Sequence, residues 1–154
     1  MAMKKQVLFS VENGIYGLDV SEVMGIEKEL DIVNVPNAPC DIRGIINLRG
    51  EVLPVYSLRN KFNLDERGDG EPGEFIIVKS HGVPLALDVD AVKEIVEIND
   101  EQVSEMPAVV MNEHTSYAES VAHIDKSLVL LLNLDGLLSE EQKEQLNKFM
   151  KSVN

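Results

Sequence analysis

The sequence predicts a mainly β protein that contains two copies of one five-strand unit, followed by a C-terminal helix. Three observations support this fold class. Short segments rich in Val, Ile and Leu recur along the 154 residues and are separated by Gly, Pro, Asn or Asp. Part of this pattern occurs twice, and clear helical periodicity is confined to the last segment. Many short strands at such spacing are typical of small barrels or sandwiches.

The strand candidates follow one another with short connections. The first, at residues 7–11, is followed by Asn13-Gly14, a pair that favours a tight hairpin turn. The return segment at residues 16–21 alternates apolar and polar side chains, as a half-buried strand does. The later candidates share an apolar, often β-branched composition; they are residues 23–27, 31–35, 44–49, 51–57, 74–79, 83–89, 92–97, 120–125 and 127–134.

An internal repeat relates the two halves of the chain. Residues 18–23 (Leu-Asp-Val-Ser-Glu-Val) recur as residues 87–92 (Leu-Asp-Val-Asp-Ala-Val), at an offset of 69. A second match, mostly in apolar pattern, places residues 45–58 on residues 121–134 at an offset of 76. A polar, Gly- and Pro-containing linker separates the copies. We therefore expect one domain over 1–154, with a first barrel at about 1–70 and a second at about 71–138.

The C-terminal segment, residues 139–152, has the features of a helix. Ser139 and Gln142 are spaced as a capping box, in which each side chain binds the backbone N–H of the other residue. Apolar residues then recur on one helical face, at Leu146, Phe149, Met150 and Val153. We expect this helix to pack on the barrels through that face.

Charge disfavours several classes of partner. Fourteen Lys and Arg against 27 Asp and Glu give a formal net charge of −13. Such a surface repels phosphate backbones and anionic lipids, and seven aromatic residues offer little base stacking. The longest apolar run, residues 128–132, is far too short to cross a membrane. These features predict a cytoplasmic protein without nucleic-acid binding or membrane insertion.

The residues that often carry chemistry do not form a catalytic pattern. The sequence Gly68–Gly73 matches G-x-G-x-x-G, but acidic residues surround it and a strand follows where a dinucleotide site needs a helix. His81, His114 and His123 are far apart and have no ligand-type neighbours at metal-binding spacing. Cys40 has no nearby histidine base. We therefore predict no catalytic residue, cofactor or metal.

The most specific stretch is Gly44 to Val55, in which two strand segments flank an Arg-Gly turn within Asn-Leu-Arg-Gly-x-x-x-Pro-Val. Together with residues 16–23 and 35–39, it resembles the CheW family of bacterial chemotaxis coupling proteins, and the resemblance covers nearly the whole chain. The resemblance implies two SH3-like five-stranded barrels and a non-enzymatic adaptor. It also implies binding to the cytoplasmic tips of chemoreceptors and to the regulatory domain of the CheA histidine kinase, which would recruit the protein to membrane receptor arrays.

The resemblance also implies where receptors bind. The positions that match receptor-binding positions of the family are Arg49, Val23, Phe75 and Val92. Two residues depart from the family pattern. Gly25 stands where an acid is common, and Ser120 replaces the glycine that is usual before the strand in the second half of the chain.

Two other functions remain open at this point. One is that of a CheW-like paralogue that scaffolds a receptor–kinase array outside chemotaxis. The other, from a different class, is that of a nucleic-acid-binding small barrel, which the acidic composition disfavours.

Overall fold

A computed structural model describes residues 3–39, 41–65, 73–80, 82–107 and 117–153. Cys40, His81, His114 and most of the glycine motif lie outside these residues. The strands are Met3–Val11 (β1), Gly14–Asp19 (β2), Val23–Lys28 (β3), Ile42–Leu48 (β4), Glu51–Ser57 (β5), Glu74–Ser80 (β6), Val83–Val89 (β7), Ala91–Asn99 (β8), Val103–Glu105 (β9), Ala118–Ile124 (β10) and Ser127–Leu132 (β11). The helices are Leu58–Lys61 (α1) and Glu140–Val153 (α2).

The strands form two sheets. Sheet A has six strands in the order β8-β1-β2-β11-β10-β9, and sheet B has five in the order β3-β6-β7-β5-β4. In each sheet the outermost strands are joined along the chain: a 3₁₀ turn at Asp100–Gln102 links β8 to β9, and the segment after β3 reaches β4 through a bridge between Val33 and Ile45. The mainly β fold with two SH3-like barrel subdomains and a C-terminal helix is confirmed, but sheet A has six strands instead of the expected five, with the short β9 at its edge.

The boundary expected near residue 70 does not separate the two barrels. The first hairpin, β1–β2, pairs with β8 and β11 in sheet A, whereas β6–β7 pairs with β3 and β5 in sheet B. Each sheet thus takes its hairpin from one copy of the repeat and its other main strands from the other copy. The chain crosses between sheets at two equivalent places, after β2 and after β7, where residues 18–23 and 87–92 lie. The first match of the repeat therefore covers the two crossovers, and the second match covers the hairpins β4–β5 and β10–β11.

The exchange creates a large core between the sheets. It contains Phe9 and Leu18 from the first hairpin, Ile76 and Leu87 from the second, and Leu146 from α2. Each barrel also has a smaller core of its own. The one in sheet B consists of Ile46, Leu53, Val55, Phe75, Ile77 and Ala86, and the one in sheet A of Leu8, Ile98, Ala122, Val129 and Leu131. Alternate residues of each hairpin strand therefore face the shared core and a barrel core.

The predicted helix and its cap are confirmed within one residue. Gln142 N donates to Ser139 Oγ and Ser139 N donates to Gln142 Oε1, both at 3.1 Å. Leu146 is fully buried, and Phe149 and Met150 are partly buried against the shared core. Helix α2 therefore covers the core that the two sheets form together.

Three local predictions differ from the structure. The first hairpin turn is Glu12-Asn13, one residue earlier than expected, with Gly14 as the first residue of β2. Residues 31–35 form a single bridge at Val33 rather than a strand. Left-handed backbone at Glu29 and Asn37 flanks this segment and Pro36 follows it directly, which limits the pairing to Val33. The short strand β9 was not predicted, because three residues leave no readable periodicity.

Candidate partner-binding site

Arg49 lies at the tip of the β4–β5 hairpin in a conformation that arginine rarely adopts. Leu48 pairs with Glu51, so Arg49 and Gly50 are the two turn residues, and both have positive φ, 51° and 88°. The side chain of Asn47 supports the turn by accepting from Gly50 N at 2.9 Å. Turns of this kind strongly prefer Asn, Asp or Gly at the first position. The equivalent turn in sheet A follows that preference with Asp125, φ 54°.

The Arg49 side chain is exposed but held in place. It is 77% exposed, and its Nη2 donates to Glu27 Oε1 at 2.7 Å. Glu27 belongs to β3, the opposite edge of sheet B, so this ion pair joins the two edges at one end of the barrel. Glu27 engages one of the five guanidinium N–H donors, which leaves most of the fork directed at solvent.

A shallow cavity of about 200 Å³ adjoins Arg49. It is lined by Met24, Gly25 and Glu27 on one side and by the β4–β5 hairpin on the other. Met24 is 63% exposed, and Ile26, two residues further along β3, is also exposed. An apolar and a cationic group therefore meet at this cavity, and we call its rim the Arg49 surface: Arg49, Glu27 and Met24.

The other three predicted receptor-binding residues are not on the Arg49 surface. Phe75 is buried in the core of sheet B, with 4% of its surface exposed. Val23 and Val92 are half-buried at the starts of β3 and β8, against the shared core. They occupy equivalent positions in the two copies of the repeat. Their role in receptor binding stays a prediction, and the structure gives each of them a packing role.

The two departures from the family pattern have local explanations. A Cβ at Gly25 would meet no atom within 4 Å, so the glycine leaves open space beside Arg49. Ser120 occupies a bulge that corresponds to the bulge at Gly44 in sheet B. There a Cβ would overlap the Val33 carbonyl oxygen, so glycine is required, whereas Ser120 pairs with Glu105 in β9 and is half-buried.

Sequence reasoning missed Glu27 and Met24. The signal was the alternation along β3, where Val23, Gly25 and Glu27 are the less exposed residues and Met24, Ile26 and Lys28 the more exposed ones. An exposed Met and Ile on one strand face are notable, because apolar residues on an edge strand provide a surface for a partner.

Two further arginines form ion pairs inside the fold. Arg43 Nη1 lies 2.7 Å from Asp88 Oδ2, and Asp88 is 1% exposed. Arg59 binds both carboxylate oxygens of Asp90, through Nε at 2.9 Å and Nη2 at 2.7 Å. Asp90 lies at the second crossover, between β7 and β8. These pairs hold sheet B and the crossover together, so they have structural roles.

Four carboxylates lie together at one open end of sheet A. Asp19, Glu22, Asp100 and Glu119 line a cavity of about 400 Å³, which we call the acidic cleft. Burial, followed by the charges of Asp19, Asp135 and Glu119, raises the pKa of Glu22 above its usual value.

Because the pKa of Glu22 is raised in the folded state, ionised Glu22 destabilises the fold at neutral pH. The folded protein gains stability as the pH falls through that raised pKa. We expect Glu22→Gln to raise the free energy of unfolding at pH 7, with the gain lost below about pH 4, where the glutamate is protonated in both states. Urea unfolding across this pH range measures the effect. Glu94→Gln, at an exposed strand position, is the matched control for the change of charge, and an equal gain for both variants would contradict the assignment.

Within the described ranges, no three His, Cys, Asp or Glu side chains are grouped so that they could hold a metal ion. His123 lies on β10, where its Nε2 is 3.3 Å from Ser104 Oγ. No helix in the described part of the chain is long and apolar enough to cross a membrane.

Comparison with known proteins gives a consistent result. A family model described as a CheW-like domain matches residues 5–142. The chemotaxis protein CheW of Treponema pallidum is 28% identical over 91% of this chain and 85% of its own length, and that of Bacillus subtilis is 26% identical over 92% and 90%. The crystal structure of a scaffolding protein, TtCheW from Thermoanaerobacter tengcongensis, superposes with a TM-score of 0.81 at 35% identity, covering 93% of this chain and 97% of that one.

Proposed function

The chain belongs to the CheW-like family of chemotaxis scaffold proteins, and we propose that it couples chemoreceptors to the CheA histidine kinase by binding both. In this proposal the Arg49 surface receives the receptor tip. The kinase regulatory domain binds elsewhere, so the two partners are held at the same time.

The conformation of Arg49 carries the proposal. Left-handed backbone costs an L residue about 1–2 kcal/mol. Asn and Asp offset this cost with a local side-chain hydrogen bond, which arginine does not make. The ion pair with Glu27 is largely exposed and contributes at most about 1 kcal/mol. The fold would therefore be served as well by asparagine. A residue that disagrees with its local turn preference is expected at functional sites, where binding outweighs stability.

The distribution of exposed apolar residues supports two separate binding surfaces. Sheet B exposes Met24 and Ile26 on β3, with Val33 after it. Sheet A exposes another set on β1, β8 and β11, which comprises Met3, Ile95 and Leu128. Ile26 and Ile95 are equivalent in the repeat, and both lie on outermost strands. An adaptor needs two such surfaces, and the exposed apolar residues on each sheet are in keeping with this proposal.

The test is Arg49→Asn. Asparagine suits the left-handed turn, so we expect the free energy of unfolding to stay within about 0.5 kcal/mol of the parent. The affinity for a receptor tip fragment should fall about thirtyfold, which corresponds to a loss of about 2 kcal/mol for an arginine at an interface centre. Isothermal titration with the receptor fragment and with the kinase regulatory domain measures both interactions. Kinase affinity should remain unchanged.

Glu27→Gln is the matched control. It removes the ion pair but leaves the guanidinium at the turn, so receptor affinity should change much less than for Arg49→Asn. Equal losses for the two variants would mean that Arg49 acts only through Glu27. Unchanged receptor affinity for Arg49→Asn would contradict the proposed receptor site. Competition between the receptor and kinase fragments for the protein would contradict the adaptor role.

A further inference from the structure

The acidic cleft differs from the same place in the other barrel. The repeat pairs Asp19 with Asp88, and the strand registers agree: Asp19 lies opposite Gln6 in sheet A as Asp88 lies opposite Phe75 in sheet B. The second offset pairs Glu119 with Arg43, and each of them is the bulged residue that its hairpin register skips.

Sheet B fills this place with its own cation. Arg43 Nη1 contacts Asp88 Oδ2 at 2.7 Å, and the carboxylate is almost fully buried. In sheet A the equivalent positions are both acidic, Asp19 and Glu119, and Glu22 and Asp100 add two more carboxylates. Among the described residues that line the cleft, Lys4 is the only basic one. The place that an arginine occupies in sheet B is therefore an open cavity of about 400 Å³ in sheet A.

A buried polar side chain also faces this cavity. Gln6, which lines the cleft, is 4% exposed and stands where sheet B has the ring of Phe75. Gly17 stands where sheet B has Ala86. Sheet A therefore has less apolar volume than sheet B at these two equivalent positions. No hydrogen bond of the Gln6 amide is seen within the described residues, and the amide is not one of the fully buried unpartnered groups there, so the small exposed part of this residue faces the cleft. The amide can therefore accept from or donate to a polar group bound in the cleft.

The carboxylates of the cleft are also incompletely neutralised. Asp19 Oδ1 accepts from Ser21 N and Ser21 Oγ, which leaves its second oxygen for another donor. Glu22 and Glu119 belong to none of the ion pairs formed among the described residues. Burial is the largest cause of the raised pKa of Glu22, and the charges of Asp19, Asp135 and Glu119 add to it.

We propose that the acidic cleft binds the arginine side chain of a partner protein. A planar guanidinium can bridge two carboxylates and donate to the Gln6 amide oxygen at the same time, which the compact ammonium group of lysine does less well. The sister barrel supplies the precedent within the same chain, since Arg43 is the cation that pairs with the equivalent aspartate there. This inference goes beyond the proposed coupling function and does not depend on which partner contributes the arginine.

The first experiment is an NMR titration of the full ¹⁵N-labelled chain with N-acetyl-arginine amide. We expect saturable shifts confined to amides around Asp19, Glu22, Gln6 and Ser120. N-acetyl-citrulline amide has nearly the same shape without the charge and should produce no saturable shifts. Equal responses to the two probes, or shifts spread over the acidic surface without saturation, would overturn the proposal.

Glu119→Arg tests the mechanism, because it gives sheet A the residue that sheet B has. The new side chain should pair with Asp19 and occupy the cleft, and binding of N-acetyl-arginine amide should fall about tenfold or more. Glu94→Arg makes the same change of charge on β8, outside the cleft, and should leave binding within about twofold. If both variants lose binding equally, the interaction is nonspecific and the proposal fails.

Gln6→Leu tests the buried amide independently. Binding should weaken about fivefold, the value of one hydrogen bond of ordinary strength. The melting temperature should stay the same or rise, since leucine is apolar, of similar size, and occupies a largely buried position. Unchanged binding in a folded Gln6→Leu protein would overturn the proposed geometry.

Discussion

Replacing Arg43 with alanine is expected to lower the free energy of unfolding by about 3 kcal/mol. The change removes the cation that pairs with Asp88, and at 1% exposure this carboxylate has almost no access to water. Breaking a buried pair from one side is costly because the remaining charge keeps its desolvation penalty. For a chain of this size the melting temperature should fall by about 6–12 °C.

A double-mutant cycle isolates that interaction. Asp88→Asn in the Arg43→Ala background should recover part of the loss, because the neutral amide has a smaller desolvation penalty than the carboxylate. Lys79→Ala, an exposed position on β6, is the control and should have little effect. A loss below about 1 kcal/mol for Arg43→Ala would contradict the view that this pair holds sheet B together.

Leu146→Ala should have a similarly large effect, a loss of about 2–4 kcal/mol, because it opens a cavity in the core shared by both sheets. Leu146 is fully buried, and its neighbours in that core come from sheet A, sheet B and the segment before α2. Thermal and urea unfolding measure the loss, and Glu144→Ala on the exposed face of α2 is the control. An unchanged melting curve for Leu146→Ala would mean that α2 is a detachable tail and not part of the core.

Local features of the fold could be predicted because they depend on neighbours in sequence. The cap formed by Ser139 and Gln142, the tip at Arg49 and most strand positions belong to this class. The duplication was also visible, since both offsets persist in the strand registers. The exchange of hairpins between the sheets is not visible in the sequence. Alternation of apolar and polar residues shows which face of a strand is buried, but it does not show which strand is its neighbour.

The candidate site also contains features that the local sequence predicts and features that depend on the fold. Arg49 could be identified from the turn that presents it, but its contact with Glu27 depends on two edges of a sheet that only the fold brings together. Phe75 shows the opposite limit, since an apolar residue in a strand can face a barrel core or a binding groove with the same sequence pattern. The pair of Arg43 and Asp88, 45 positions apart, leaves no local trace.

The exchange of hairpins also determines the order in which the protein can assemble on the ribosome. The first hairpin, with Phe9 and Leu18, is synthesised long before its neighbours in sheet A, β8 and β11. At about 5–20 residues per second, the roughly 70 residues between the end of β2 and the start of β8 take on the order of 4–14 s to make. During that time the nascent hairpin has apolar side chains and open strand edges but no sheet to join. Sheet B can form first, once β7 has been synthesised. The first hairpin can then pack against the apolar face of sheet B that contributes to the shared core.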